Sequence, residues 1–314
     1  MKLLKIFTLG FILFLSSSIS ADENKTSSNS ILLNGIWEIG LNRNYTHTAK
    51  IPGLLTNPAE MTNGQIWCKL KIILPQGDWE HATLELKGAL FAPEIYIDGI
   101  LIAKKNGGMA PLFIELNHKN IKPNNEIVLE IALSSLNDIK ETDASYVAKA
   151  NHWRSNISSL IWDDVKLHFH GEHRISRIIP FTNLEVKEVT VKWEIKKIKQ
   201  FGELPKEIVC ELLDKNGNVL SHNSSKVSEL KGEIKIPLTK EIKLWSPEDP
   251  NLYNLRLKIK TNNKIVDEKT IAYGAKSFVE KNKQFYLNGK LYPLRMGTVV
   301  WHRFLRDSEA KTIA

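Results

Sequence analysis

Two pairs of adjacent carboxylates are the first candidates for chemistry in this sequence. They are Asp163-Asp164 and Glu248-Asp249. Two carboxyl groups held close together can divide the work of a general acid and a general base between them. Neighbouring side chains of an extended chain, however, point to opposite sides. We therefore expect these residues to be surface charges, and no catalytic pair is predicted among them.

Three histidines lie close together near the end of a predicted strand: His168, His170 and His173. Alternation along a strand would place two of them on one face, where imidazoles could bind a metal ion. We favour a chance arrangement, because the nine histidines are scattered along the chain. The sequence also contains no His-rich metal motif, no P-loop and no Ser-His-Asp order. No metal and no cofactor are therefore expected.

The two cysteines are Cys68 and Cys210. Each lies in an alternating, strand-like pattern, and the two fall in different predicted domains. No metal-ligand spacing of cysteines is present. We expect two buried free thiols.

The N-terminus has the order of a secretory signal. Lys2 and Lys5 precede an apolar run at 6–15, and a stretch of small residues follows at 16–21. The apolar run is too short to span a bilayer, which requires about 20 residues. We expect cleavage near residue 21, export to the periplasm or the extracellular space, and no stable membrane insertion afterwards.

The net charge of the chain is +8, mostly from lysine. The basic residues are spread along the sequence, whereas nucleic-acid binders usually concentrate Lys and Arg on one face. We expect no nucleic-acid partner.

Alternation of apolar and polar residues with a period of two dominates the rest of the sequence. It is clear at 126–133 and 189–195, and it is typical of half-buried strands. Asp98-Gly99 and Asn288-Gly289 each separate two short β-like runs, as expected of tight hairpins. Strands recur roughly every 8–12 residues, which predicts an all-β fold of sandwiches. About seven of them fall in roughly 100 residues from Ile175 onward, as in an immunoglobulin-like sandwich.

Nine short segments, taken in their order along the chain, resemble the motifs of a known family. They are residues 33–39, 64–72, 86–89, 96–99, 106–112, 160–165, 244–253, 273–278 and 285–290. In this order they resemble the front half of the family 2 glycoside hydrolases. Residues 244–253 read L-W-S-P-E-D-P-N-L-Y, close to the family pattern L-W-S-P-E-x-P-x-L-Y. Cys68 and Lys69 stand where the family usually has Tyr and Arg.

The resemblance implies a galactose-binding-like jelly-roll sandwich, then an immunoglobulin-like β-sandwich, then only the first strand and helix of a truncated (β/α)8 barrel. The predicted bounds are a signal peptide at 1–21, a leader at 22–30, the two sandwiches at 31–172 and 173–273, and the barrel start at 274–314. The partner that it implies is a carbohydrate, as a β-linked glycan or glycoside.

Catalysis in the family, as the resemblance implies, retains configuration and uses two carboxylates about 5 Å apart. Both are glutamates late in the barrel, and neither position falls within this chain. Asn125-Glu126 is discounted, because it lies at the start of a predicted sandwich strand. We therefore expect the N-terminal part of an exported glycosidase, with no catalytic residue and no activity by itself.

Three residues near the C-terminus are candidate substrate contacts. Arg295, Trp301 and His302 fall at the predicted first barrel strand and the loop after it, the face at which barrel enzymes bind substrate. The family reads L-R-G-x-N-x-H here. Leu294-Arg295 is kept, Met296 stands before Gly297, and the Asn is replaced within residues 298–302. The resemblance therefore implies His302 as a sugar contact and Trp301 as a stacking wall.

The tryptophans are more often sandwich anchors than sugar platforms. We expect Trp67, Trp162, Trp193 and Trp245 to pack in the cores.

A stand-alone carbohydrate-binding or adhesion module is the alternative function. It would be a folded, soluble chain with measurable affinity for a glycan. The sequence leaves open which sugar is bound and which oligomeric state the chain adopts.

Overall fold

The computed structural model describes residues 30–55, 64–108, 110–134, 159–198, 203–262 and 264–295. Regular structure within these ranges consists of strands, so the predicted all-β fold class is confirmed. No helix among them is long and apolar enough to cross a membrane. The predicted signal peptide at 1–21 and residues 296–314 of the predicted barrel start lie outside the described residues.

Thirteen strands form a first sandwich. They are β1 (Ser30–Leu32), β2 (Gly35–Leu41), β3 (Asn44–Ile51), β4 (Gly53–Leu54), β5 (Gln65–Ile73), β6 (His81–Leu86), β7 (Ala89–Leu90), β8 (Glu94–Ile97), β9 (Ile100–Lys104), β10 (Leu112–Glu115), β11 (Glu126–Ser134), β12 (Leu160–Ile161) and β13 (Val165–His170). One sheet has the order β1-β13-β6-β10 and a second has the order β3-β2-β5-β11-β8-β9. The short strands β4, β12 and β7 form a third sheet.

Side chains from the two larger sheets form the first core. Ile95 and Ile97 of β8 alternate with more exposed neighbours, and they join Leu86 of β6 in one buried cluster. Burying each such side chain stabilises the fold by about 1.5–3 kcal/mol. Trp37 of β2 is also buried, and its Nε1 donates a hydrogen bond to the Leu33 carbonyl oxygen at 2.9 Å.

Seven strands form a second sandwich. They are β14 (His173–Asn183), β15 (Glu188–Lys197), β16 (Glu207–Leu213), β17 (Val219–Lys226), β18 (Lys231–Pro237), β19 (Tyr253–Thr261) and β20 (Lys264–Tyr273). Their sheets have the orders β14-β15-β18 and β17-β16-β19-β20. Trp193 of β15 and Leu257 of β19 belong to the same buried cluster, so this core also lies between two sheets. Cys210 is buried here and Cys68 in the first sandwich, and both are free, as predicted.

Both predicted Asx-Gly hairpins are present. Asp98 and Gly99 have φ angles of 50° and 79° between β8 and β9. Asn288 and Gly289 have φ angles of 52° and 79°. They join two strands of a small sheet formed by β21 (Phe278–Lys281), β22 (Gln284–Leu287) and β23 (Lys290–Leu291). Positive φ at both central positions is what a two-residue hairpin requires.

A polar cluster centred on Glu115 joins the two sandwiches. Thr83 of the first sandwich donates a hydrogen bond to its carboxylate at 2.7 Å, and Lys196 of the second donates another at 3.2 Å. Arg174 lies 3.6 Å from the same carboxylate. Although burial by itself raises the pKa of Glu115, these hydrogen bonds lower that pKa below its ordinary value. The junction is therefore held by ionic contacts with an ionised carboxylate.

The connection between the sandwiches is also attached to β20. Gly171 in this connection donates a backbone hydrogen bond to the Val266 carbonyl oxygen at 3.0 Å. Next to Val266, Asp267 Oδ2 accepts a hydrogen bond at 2.6 Å from the N–H of Ile175, which lies in β14 of the same sandwich. Asp267 is only 6% exposed, and burial raises the pKa of its carboxyl group to about 7. The folded state therefore favours the protonated form of Asp267.

Replacing Asp267 with Asn should change how stability depends on pH. In the wild type, the raised pKa costs stability as pH rises from about 4 to about 7, because the buried group must then ionise. Asn keeps one oxygen for the Ile175 N–H and cannot ionise. We expect Asp267→Asn to gain roughly 2–4 kcal/mol relative to the wild type between about pH 4 and pH 8. Urea unfolding across this range, with the exposed Asp249→Asn as control, measures it. A constant difference between wild type and Asp267→Asn would contradict it.

Candidate functional site

Of the three predicted substrate contacts, the structure describes Arg295, which is exposed after β23. Trp301 and His302 lie outside the described residues. Contact of the three residues with a substrate therefore stays a prediction.

Among the three histidines, His168 and His170 contact different partners. His168 Nε2 lies 2.6 Å from Glu85 Oε2, and His170 Nε2 lies 2.7 Å from Thr83 Oγ1. His173 begins the next strand, β14. Burial lowers the pKa of His170 to about 4, so its imidazole is neutral near pH 7. The described ranges contain no group of three His, Cys, Asp or Glu residues arranged to hold a metal ion.

Three chain segments meet at one end of the first sandwich. The connection between β1 and β2 contributes Asn34, the connection between β6 and β7 contributes Lys87 and Gly88, and the connection between β12 and β13 contributes residues 162–164. We call Asn34, Lys87, Gly88, Trp162, Asp163 and Asp164 the Trp162 cluster. All three segments are among those that carry the family resemblance.

Trp162 is the exposed aromatic residue of this cluster. Its backbone N–H donates to the Gly88 carbonyl oxygen at 3.2 Å, and its indole lies so close over Gly88 that a Cβ there would overlap the ring. The residue is 37% exposed, so the predicted core packing is wrong for Trp162. The reason is that β12 has only two residues and ends before Trp162.

The other three tryptophans divide differently. Trp67 and Trp193 are buried, at 6% and 5% exposure. Trp193 belongs to the core of the second sandwich, and Trp67 packs against Tyr96 and under the Arg43 guanidinium, 4.3 Å from the ring centre. Trp245 is half-buried, with Lys276 Nζ 4.4 Å from its ring centre. Packing in the protein interior is thus confirmed for Trp67 and Trp193.

Asp164 holds the cluster together. Its carboxylate accepts hydrogen bonds from Asn34 Nδ2 at 2.8 Å and Lys87 Nζ at 2.9 Å, and Lys166 Nζ lies 3.3 Å away. The Asn34 side-chain oxygen in turn accepts the backbone N–H of Val165. The hydrogen bonds from Lys87 and Asn34 lower the pKa of Asp164 to about 2.

Asp163 and Asp164 share a partner, contrary to the sequence-based prediction that they point apart. Lys87 Nζ lies 3.6 Å from Asp163 Oδ1 and 2.9 Å from Asp164 Oδ2. The two-residue alternation fails because residues 162–164 do not belong to a strand. Glu248 and Asp249 are exposed, as predicted.

The chemistry of the Trp162 cluster is suited to binding rather than to proton transfer. Asp164 is ionised over the ordinary pH range and engaged with two or more donors, so it has no proton to give as a general acid. The cluster instead presents an indole face, an ammonium group and the half-exposed carboxylate of Asp163. All three segments belong to the stretches that carry the family resemblance. The sequence predicts no site in them, because Asn34, Lys87 and Asp164 are far apart along the chain.

Comparison with known proteins relates the chain to one family. Residues 174–276 match the family described as Glycosyl hydrolases family 2. A beta-galactosidase of Thermoanaerobacterium thermosulfurigenes is 28% identical over 229 residues, which cover 68% of this chain and 30% of that protein. A putative beta-glucuronidase of Formosa agariphila is 37% identical over 86 residues, which cover 27% of this chain and 8% of that protein. The chain thus spans less than a third of the length of these two relatives.

Solved structures share the fold. The beta-D-glucuronidase of Dictyoglomus thermophilum matches with a TM-score of 0.61 and 20% identity, over 87% of this chain and 48% of that chain. A glycosyl hydrolase family 2 member of Bacteroides cellulosilyticus matches with a TM-score of 0.63 and 15% identity, over 83% and 38%. Together with the sequence matches, this supports a relationship between the chain and the family 2 glycosyl hydrolases.

Replacing Asp164 with Asn tests the role of this carboxylate in the cluster. Because the pKa of Asp164 is lowered to about 2, its contribution to stability is present above about pH 4 and is lost as pH falls toward about 2. We expect Asp164→Asn to cost about 1 kcal/mol near pH 6, the scale of charge-assisted hydrogen bonds at a partly exposed site, and less in acid. Urea unfolding at several pH values measures this, with the exposed Glu248→Gln as control. An effect of equal size at every pH would contradict it.

Proposed function

We propose that this chain supplies the two N-terminal sandwich domains of an exported family 2 glycoside hydrolase. In this proposal residues 31–172 are the sugar-binding-like domain, and residues 173–273 are the immunoglobulin-like domain. The observation that carries it is the single alignment of 229 residues with a beta-galactosidase, which spans 68% of the chain. An alignment of this length extends beyond the 103 residues, 174–276, that match the family.

The role that we propose for these domains is carbohydrate contact and support of a catalytic barrel. The ionised Asp164 and its neighbour Asp163 share one lysine and lie in a connection of the first sandwich, so they are not a hydrolytic pair. In the proposal, hydrolysis of a β-glycoside depends on two barrel glutamates that are not among the 314 residues. Residues 274–314 begin the barrel and contribute Arg295, Trp301 and His302 as substrate contacts.

A stand-alone carbohydrate-binding or adhesion module is the competing proposal. The comparisons do not favour it, because the relatives and solved structures that match the chain are named as glycosidases. It shares the expectation that the chain itself does not hydrolyse glycosides.

Purified as 314 residues, the chain should not hydrolyse aryl β-galactosides or aryl β-glucuronides. The measurement is release of the aryl group, compared with a mock purification from the same host without the chain. Turnover above the mock that rises in proportion to chain concentration would overturn the assignment of hydrolysis to barrel glutamates. Loss of that turnover in Asp163→Asn would then place the activity in the Trp162 cluster.

Export predicts a shortened N-terminus. When the gene is expressed in a bacterial host with a general secretory pathway, the mature chain should begin at or next to Ala21 and appear outside the cytoplasm. N-terminal sequencing of the periplasmic or extracellular fraction measures the cleavage site. Replacing two residues of the apolar run, Phe11 and Phe14, with Asp should leave the chain uncleaved. An intact N-terminus at Met1 in the unaltered cytoplasmic chain would contradict export.

A further inference from the structure

Trp162 is built as a platform with one covered side. Its indole lies against Gly88, where the absence of a side chain permits the close approach. With 37% of the residue exposed, part of the ring is left to solvent. Exposed aromatic residues that stand singly are normal on protein surfaces, so the exposed indole alone does not define a site. The adjoining polar residues are Asp163 and Lys87.

The groups next to the indole have unused hydrogen-bonding capacity. Within the described ranges, Trp162 Nε1 donates to no acceptor and Asp163 Oδ2 receives no donor, while Asp163 Oδ1 accepts the Asp164 N–H at 2.7 Å. Lys87 Nζ has three N–H donors and contacts two carboxylates. Asp163 follows Trp162 in the chain, and Lys87 precedes the Gly88 on which the indole packs. An indole with a carboxylate oxygen and an ammonium group on the adjoining residues matches a sugar ring, which has an apolar C–H face and hydroxyl groups at its rim.

The charges of the Trp162 cluster favour a sugar that carries no charge. Lys87 and Lys166 face Asp163 and Asp164, so two positive groups are balanced by two negative ones. The carboxylate that is most open to solvent is Asp163, whose side chain is 49% exposed, against 29% for Asp164. A ligand carboxylate next to Asp163 would meet a like charge, which disfavours it.

We infer that the Trp162 cluster is a binding site for a neutral pyranoside, stacked on the Trp162 indole and hydrogen-bonded by Asp163 and Lys87. The inference rests on the proposed carbohydrate partner and adds the position and charge of the bound sugar. Binding through one ring is weak, and it orients a glycan on the first sandwich without reacting with it.

The test is a titration of the 314-residue chain with methyl β-galactopyranoside, followed by the indole N–H signals in ¹H–¹⁵N NMR and by saturation transfer to the sugar. Concentrations up to about 50 mM suit an affinity in the millimolar range. We expect one indole signal to shift, and that signal to be absent in Trp162→Phe. Trp162→Ala should weaken binding by about tenfold, the upper part of the range for one aromatic contact. No saturation transfer at the highest concentration, or equal affinity in Trp162→Ala, would overturn the site.

Methyl β-glucuronide tests the charge. It should bind the wild type several-fold more weakly than the galactoside, and Asp163→Asn should raise its affinity while leaving the galactoside within about twofold. Tighter binding of the glucuronide to the wild type would contradict the neutral ligand.

Trp245→Phe is the matched control, because this indole also lies over a glycine, Gly274, but in the second sandwich and beneath Lys276. It should bind both sugars as the wild type does. Gly88→Ala, which must displace the indole, should weaken binding as Trp162→Ala does. Failure of all sugar binding would overturn this site but would leave the proposed family role to the activity and export measurements.

Discussion

The carboxylate of Asp164 brings together three parts of the chain that are distant in sequence. It accepts hydrogen bonds from Asn34, 130 residues earlier, and from Lys87, 77 residues earlier. Asn34 leads into β2 of the six-stranded sheet, whereas Lys87 and Asp164 adjoin β6 and β13 of the four-stranded sheet. One ionised group therefore ties the two sheets together at one end of the first sandwich. The position of Trp162 depends on this contact, because Trp162 precedes Asp164 by two residues and has no long strand of its own to hold it.

An ionised carboxylate, that of Glu115, also joins the second sandwich to the first. Glu115 stands at the end of β10 and faces Arg174 and Lys196 across the junction. An ion pair that is partly removed from water is stabilising only where hydrogen bonds compensate the loss of hydration. Thr83 supplies such a bond. Buried Asp267 lies in β20, next to Val266, whose carbonyl oxygen accepts the Gly171 N–H, and burial raises the pKa of its carboxyl group to about 7.

The comparisons relate the chain to the family 2 glycosyl hydrolases through residues 174–276 and through the fold. The solved relatives share the arrangement of sandwiches at 15% and 20% identity. Such similarity is expected where a fold is preserved by buried apolar positions and hairpin turns, while surface residues vary. The Trp162 cluster contains both residues that stabilise the fold and residues that are exposed at the surface. Its carboxylate and amide have a structural role, and its indole and Asp163 are open to a ligand.

What the sequence by itself determined is the part of the structure set by local geometry. Alternation predicted the strands, since successive side chains of a strand face opposite sides of a sheet. Asp98-Gly99 and Asn288-Gly289 predicted hairpins, since both positions need positive φ. The order of short segments indicated the family.

Only the tertiary structure decided where Trp162, Asp163 and Lys87 lie relative to one another. Alternation predicted that Asp163 and Asp164 would point apart, and the usual role of tryptophans as sandwich anchors predicted that Trp162 would pack in a core. Both predictions were wrong, because strand geometry does not extend into residues 162–164. Their partners are set by the register of β13 on β6, in which Val165 lies opposite Leu86 and brings Lys87 to the same place. No pattern within a few residues contains that register.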